Sequence, residues 1–214
     1  MTRPSVDRLA WYRGRQGRVD ILDLPELGYL AVSGSGSPGE SAFADARQAL
    51  LAVSAAVRLV VRNEYGAIER AMPLEAQWWV DDPWHLELVA AVALGHADGD
   101  SRRKWRAMVL QPELADEHMV EKALKHAGRR PLPGLQQVRF LQWAEGRCAQ
   151  VLHVGRRVDE EPTVWRLHSA IAAAGYEPTG RAHEIYLSDP RRATPANLRT
   201  LLRQPISPLP AARR

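Results

Sequence analysis

What most constrains this chain is that it holds one stretch twice. Residues 19–36 lie over residues 138–155 without a gap, pairing Val19 with Val138, Leu22 with Leu141, Glu26 with Glu145, Val32 with Val151 and Gly36 with Gly155. Each stretch reads as two apolar runs broken by a polar or Gly-containing turn, the pattern of a strand–turn–strand unit. Helical periodicity comes after both. Beyond the first, Ser37-Pro38-Gly39-Glu40 places an N-cap serine, a proline at the first helical position and a capping-box glutamate, ahead of Phe43, Ala46, Leu50, Val53 and Val57. Beyond the second, Asp159-Glu160-Glu161-Pro162 opens a helix with Val164, Leu167, His168 and Ile171 on one face and Gly175 as its stop.

Further strands are expected over 72–80, 105–110 and 181–187. The halves therefore read as two copies of one small α+β module in a single domain, 1–206. Module one covers about 19–112, a connecting helix 113–130, and module two about 135–206, after a join near Pro131-Leu132-Pro133-Gly134. A pair of copies fits a pseudo-two-fold arrangement better than a solenoid, which needs three or more repeats. Asp116 caps the connecting helix, whose apolar face is Met119, Val120, Ala123, Leu124 and Ala127. Thr194-Pro195 is expected to start a short helix carrying Leu198, Leu201 and Leu202. The chain from Pro205 on reads as frayed, with 207–214 a flexible tail, and Asp98-Gly99-Asp100-Ser101 as a surface loop.

Composition narrows the function classes. A chain of 214 residues with 45% hydrophobic and 25% charged residues is neither disordered nor collagen-like. The apolar run 86–94 is interrupted by Glu87 and falls far short of the roughly 20 residues of a bilayer span. With Asp7 and Arg8 near the start, no signal peptide is legible, so the expectation is a cytoplasmic protein without membrane contact. The single cysteine, Cys148, excludes an internal disulfide and a multi-Cys zinc site. His118 and His126 are too far apart on their helix to chelate one metal, and no His-Glu-x-x-His pattern occurs, so no metal or cofactor is expected. The net charge is +4. The bases are dispersed as pairs, Arg156-Arg157 among them, which reads as a solvated surface and not a nucleic-acid face.

The strongest local signal is His183-Glu184-Ile185-Tyr186-Leu187-Ser188-Asp189-Pro190. Strand alternation puts Glu184 and Tyr186 on one face and His183, Ile185 and Leu187 on the other. A desolvated Glu184 could serve as a general base or as counter-charge to a cationic ligand. The alternative is a solvent-facing Glu–Tyr pair on a half-exposed sheet. Trp78, Trp79, Trp84, Trp105 and Trp143 fall in or beside strands, either as flat walls of an apolar pocket or as core packing. Adjacent Trp78 and Trp79 point to opposite faces, so one at most lines a given pocket. His153 shares a face with Val151 and reads as a satisfied structural side chain. Cys148 reads as a buried small hydrophobe. Gly34-Ser35-Gly36 lacks the Lys-Ser/Thr of a P-loop and reads as a turn.

These residues, in order, resemble the GyrI-like small-molecule-binding superfamily, and within it stand-alone members similar to cyclopropanoid cyclopropyl hydrolases. The resemblance rests on residues 73–79 ending in Trp78-Trp79, on Lys104-Trp105 through Gln111-Pro112, on residues 183–192, on Leu152-His153-Val154-Gly155, and on the helix start at 159–162. It implies an α+β fold of duplicated modules, an antiparallel curved sheet with helices packed on one side, and a central cleft for an aromatic small molecule. It further implies hydrolytic opening of the dienone-conjugated cyclopropane of DNA-alkylating compounds of the yatakemycin and duocarmycin type. On that reading Glu184 activates water, Tyr186 donates to the developing phenolate or positions Glu184, and Trp78 and Trp105 stack on the substrate. His153, Trp79 and Trp143 stand as further substrate contacts. Residues 85–100 depart from the family pattern with their apolar run. The competing expectation is a non-enzymatic binder of hydrophobic or cationic drugs. A regulator would need a helix-turn-helix, for which about eighteen residues before Val19 are too few. A gyrase-inhibiting or other protein-interaction role rests on the superfamily name alone.

Overall fold

The computed structural model describes residues 7–81, 103–129, 131–189 and 191–210. Trp84, the apolar run 86–94 and the loop 98–101 lie outside the described residues. A 3-10 helix, Arg8–Tyr12, precedes the long strand β1 (Val19–Ser35) and helix α1 (Ser41–Tyr65). Then come β2 (Leu74–Trp79), β3 (Lys104–Leu110), α2 (Glu117–Ala127), β4 (Arg139–Val154) and α3 (Glu161–Ala173). Strands β5 (Tyr176–Pro178), β6 (Ala182–Tyr186) and β7 (Arg199–Pro208) complete the chain. The sheet is antiparallel in the order β4-β1-β3-β2-β6-β7, and β7 pairs back onto β4, so it curves round into a barrel-like ring with β5 on the far end of β7.

The internal repeat is visible in the registers. Overlaying 19–36 on 138–155 turns the observed pair Leu22–Cys148 into Leu141–Tyr29, which is also observed. The first half runs across the sheet as Val32–Ala107–Ala76, the second as Val151–Leu202–Glu184. Ala76 and Glu184 then pair with each other where β2 meets β6. The pseudo-dyad therefore passes between Ala76 and Glu184, and the same registers make Trp78 the counterpart of Tyr186 and Glu75 that of His183.

Several expectations change. Neither repeated stretch is a strand–turn–strand: each is one continuous strand, because β1 and β4 pair with each other along nearly their whole length. The apparent turn is a local break at which Pro25, lacking an N–H, faces Glu145 without a ladder pair, and Gly146 takes a φ of 72°. Helix α1 begins at Ser41 with Glu40 as N-cap; of the capping box only the Glu40 carboxylate accepting the Ser37 N–H at 2.8 Å is formed. Thr194-Pro195 opens no α-helix but a 3-10 turn, Pro195–Asn197. Leu201 and Leu202 come after it in β7, buried on opposite faces. Adjacent leucines read as helical in sequence because a strand buried on both faces shows no alternation. Residues expected in a frayed tail, Ser207 and Pro208, pair with Glu177 and Tyr176.

The helices after the two repeats cover one face of the sheet. Phe43, Ala46, Leu50, Val53 and Val57 of α1 pack with Leu30, Val32, Ala76, Trp78 and Trp105, and α2 adds Met119, Val120 and Ala123 beneath its Asp116 cap. Val164, Leu167 and Ile171 of α3 pack on Ala149, Val151, Leu202 and Ile206. Each large apolar side chain buried here contributes about 1.5–3 kcal/mol. Gly34 makes room for this packing: a Cβ there would stand 2.4 Å from the Trp105 ring. Helices α1 and α3 leave the dyad strands β2 and β6 between them, and a cleft opens there.

The opposite face of the sheet lines the inside of the ring and carries a buried ionic cluster. His183 sits between Glu145 (Nδ1 to Oε1, 2.9 Å) and Glu75 (Nε2 to Oε2, 3.1 Å), all with no exposed side chain. Arg203 donates to Glu145 at 2.9 Å, to Gln150, and to the Trp11 carbonyl. Tyr12, from the N-terminal 3-10 helix, donates to Glu75 at 2.5 Å. Burial alone would drive His183 neutral, but the two carboxylates outweigh it and raise its pKa to about 9. Two cations against two carboxylates leave the cluster balanced.

Candidate functional site

The cleft has a volume of about 880 Å³, inside the roughly 300–1,000 Å³ typical of small-molecule sites. One wall is mainly apolar and comes from the first half: Pro38, Phe43, Leu51 and Leu74, with Arg47 and Gln48 of α1 beside them. The other is polar and comes from the second half: Arg157, Glu160, Glu184, Tyr186 and Thr200. The asymmetry arises in β6, whose alternation turns Glu184 and Tyr186 toward the cleft and His183 and Ile185 into the ring, as expected from sequence.

Glu184 is 7% exposed and held at both oxygens. The Arg157 guanidinium donates to Oε1 at 2.8 Å, and the Tyr186 hydroxyl donates to Oε2 at 2.9 Å. Trp78 Nε1 in turn donates to the Tyr186 oxygen at 3.3 Å. Trp78, Tyr186 and Glu184 thus form one relay whose direction is fixed, because an indole N–H only donates and an ionised carboxylate only accepts. Burial first, and the Glu184 charge second, hold the Tyr186 phenol well above its ordinary pKa. It stays protonated and serves as a donor. A carboxylate oriented this way keeps lone pairs for a water in the cleft, the arrangement general-base chemistry requires.

The tryptophans stand elsewhere than expected. Trp78 and Trp105 are each 1% exposed and pack on Phe43 (ring centroids 5.1 and 5.2 Å), so they form the floor behind the cleft and not its walls. Aromatic rings this large are taken up by the core when an apolar helix face such as that of α1 is available to cover them. Trp79 points to the other face, under Arg181. Trp143 lies on the inner side of the ring against Tyr29 and His183. His153 is 3% exposed and engages Thr163 Oγ1 and the Arg156 carbonyl, an arrangement that ties β4 to the start of α3, and it does not line the cleft. Cys148 is buried, and burial pushes its thiol up to about 12. Among the described residues no group of His, Cys, Asp or Glu is placed to hold a metal ion. No helix among them is long and apolar enough to cross a membrane.

Sequence reasoning missed Arg157, which read as half of a solvated pair. The signal was present in the repeat: the overlay that pairs Gly36 with Gly155 sets Arg157 on Pro38, and both line the cleft.

The ring of duplicated α+β modules thus holds a cleft of the size small-molecule sites have. Residues 111–207 match the family model of the GyrI-like small molecule binding domain. A conserved protein of uncharacterised function from Listeria innocua superposes with a TM-score of 0.81 at 27% identity, over 94% of this chain and 97% of its own. A hydrolase from the same organism superposes with a TM-score of 0.76 at 26% identity, over 92% and 95%. The C-terminal domain of EcmrR shares the fold, with a TM-score of 0.52 at 10% identity over 90% and 98%. No curated protein matches the chain by sequence.

Proposed function

We propose that this protein is a hydrolase that uses Glu184 to direct water onto a strained, electrophilic carbon of a neutral polycyclic aromatic ligand. The cyclopropane of yatakemycin- or duocarmycin-type alkylators is the substrate class its family resemblance implies. Water attacks the ring methylene, the cyclopropane C–C bond breaks, and its electron pair passes through the dienone to the oxygen, which becomes a phenolate. The water proton passes to Glu184 and then to that phenolate, so the enzyme returns to its starting state. Destroying the alkylating carbon in this way protects DNA.

The observation that carries this reading is the Glu184 carboxylate at the dyad, buried on the floor of the cleft and oriented through both oxygens. Preorganised placement of base and reactant is worth several powers of ten in rate. The Tyr186 hydroxyl already donates to Glu184, which favours its role as the group that positions the base. The hydrolase from Listeria innocua, with the same fold across nearly all of both chains, supports a hydrolytic class. The test is ring opening monitored by mass spectrometry, with protein far below the drug concentration. Wild type is expected to add one water per drug over many turnovers, and Glu184→Gln to lose at least about a hundredfold in rate. Stoichiometric protection without hydrated product would show a sequestering binder instead. A Glu184→Gln protein that turns over like wild type would remove Glu184 from the chemistry.

A further inference from the structure

We infer that Arg157 makes the cleft selective for neutral aromatic ligands and against lipophilic cations. The inference rests on the cleft being the ligand site, as proposed above, and not on catalysis there. One feature of the cleft would attract a cationic drug: the buried Glu184 carboxylate. It is already engaged by the protein's own cation. Arg157 Nη2 stands 2.8 Å from Glu184 Oε1, with its side chain 22% exposed against 9% for Glu184. The Arg157 guanidinium carbon lies 5.3 Å from the Trp78 ring centroid, and that of Arg103 lies 4.3 Å from it.

An entering cation would have to displace Arg157 from the carboxylate or sit beside it. In the second case two like unit charges would stand about 5 Å apart in a partly desolvated cleft, where water screens their repulsion poorly. The rest of the lining does not compensate. Arg47 and Arg199 lie in it too; of its other acids, Asp189 is occupied by Arg191 in a two-pronged contact at 3.0 and 2.8 Å, and Glu160 is buried at 3% exposure. A neutral ligand meets none of this repulsion. Arg157 is the specificity element because its counterpart in the first half, Pro38, carries no charge. The pseudo-two-fold alone would have left Glu184 open.

The experiment uses a matched planar pair, acridine (neutral at mildly alkaline pH) and N-methylacridinium (a permanent cation), titrated into the full chain and monitored by ligand fluorescence. Wild type is expected to bind acridine more tightly than the methylated cation by about tenfold or more. Arg157→Gln should reverse or erase that preference by strengthening cation binding. Arg157→Lys, which keeps the charge, should retain it, and melting curves establish that each variant is folded. Equal binding of both probes to wild type overturns the inference, as does failure of acridine to bind or an unchanged ratio in Arg157→Gln. Charge selectivity in a protein that opens no ring would refute the hydrolase reading alone. Turnover without charge selectivity would refute this one alone.

Discussion

The ionic cluster inside the ring ties stability to pH in a direction that can be calculated. His183 is fully buried between Glu75 of β2 and Glu145 of β4, with Arg203 of β7, Tyr29 of β1 and Tyr12 of the N-terminal 3-10 helix around it. Its pKa is raised from 6.5 to about 9. Below 6.5 both folded and unfolded chains hold the proton, and the contribution of the site to stability is complete. As pH rises from 6.5 toward 9 the unfolded chain releases the proton while the folded chain retains it, so stability falls, and above 9 the contribution is gone. At about 1.4 kcal/mol per unit the loss over this window is roughly 3 kcal/mol, a large share of a domain's typical 5–15. The assay is urea unfolding read by tryptophan emission at half-unit steps, with reversibility checked at each pH. The window up to about 8.5 isolates His183, since thiols and phenols of the unfolded chain ionise only near and above that. An unfolding free energy that stays flat from pH 7 to about 8.5 would refute the reasoning, because a histidine bearing its proton only in the folded state must produce a slope.

The same geometry gives two further expected outcomes. Tyr186→Phe keeps the ring against the core but removes the donor to Glu184 Oε2. It should lower ring-opening kcat about 10- to 100-fold with little change in KM, and kinetics at saturating substrate will read this directly. Glu145→Gln leaves the Arg203 and His183 charges with one carboxylate between them, and should destabilise the fold by about 3–5 kcal/mol, read by chemical denaturation.

The fold was largely legible because its strongest signal, the repeat, is a long-range one: a long strand present in two copies, each running into a helix, implies a module present in two copies. Phe43, Leu50 and Val57 on one helix and Val164, Leu167 and Ile171 on the other declare their buried faces by spacing alone, and all are buried. What a single strand's sequence does not contain is the identity of its partner. The runs on either side of Pro25 and of Gly146 therefore read as hairpins, when each stretch pairs with its own duplicate across the dyad. Glu184 and Tyr186 were legible because alternation fixes their face. Trp78 and Trp105 were not, since periodicity places a ring on a face without saying whether a helix covers it. Arg157 lies in the turn after β4, where no period exists, and only the closure of the ring brings it to β6.

Duplication also explains why the chemistry collects at one point. On a dyad between like strands, one residue of each copy meets its own counterpart, and that pair is equally accessible to both halves. Two glutamates there would face each other across neighbouring strands, and like charges so placed are destabilising. Divergence to Ala76 on one side and Glu184 on the other removes the repulsion and leaves a single carboxylate at the centre of the cleft. The remaining positions then differentiate around it in pairs: Trp78 against Tyr186 gives a donor chain of one polarity, and Pro38 against Arg157 puts an apolar residue on one side and a charge beside Glu184 on the other. A ligand in such a site has only one orientation in which its polar edge meets the polar wall. The fold's symmetry supplies the cleft, and the loss of that symmetry in three residue pairs supplies the direction.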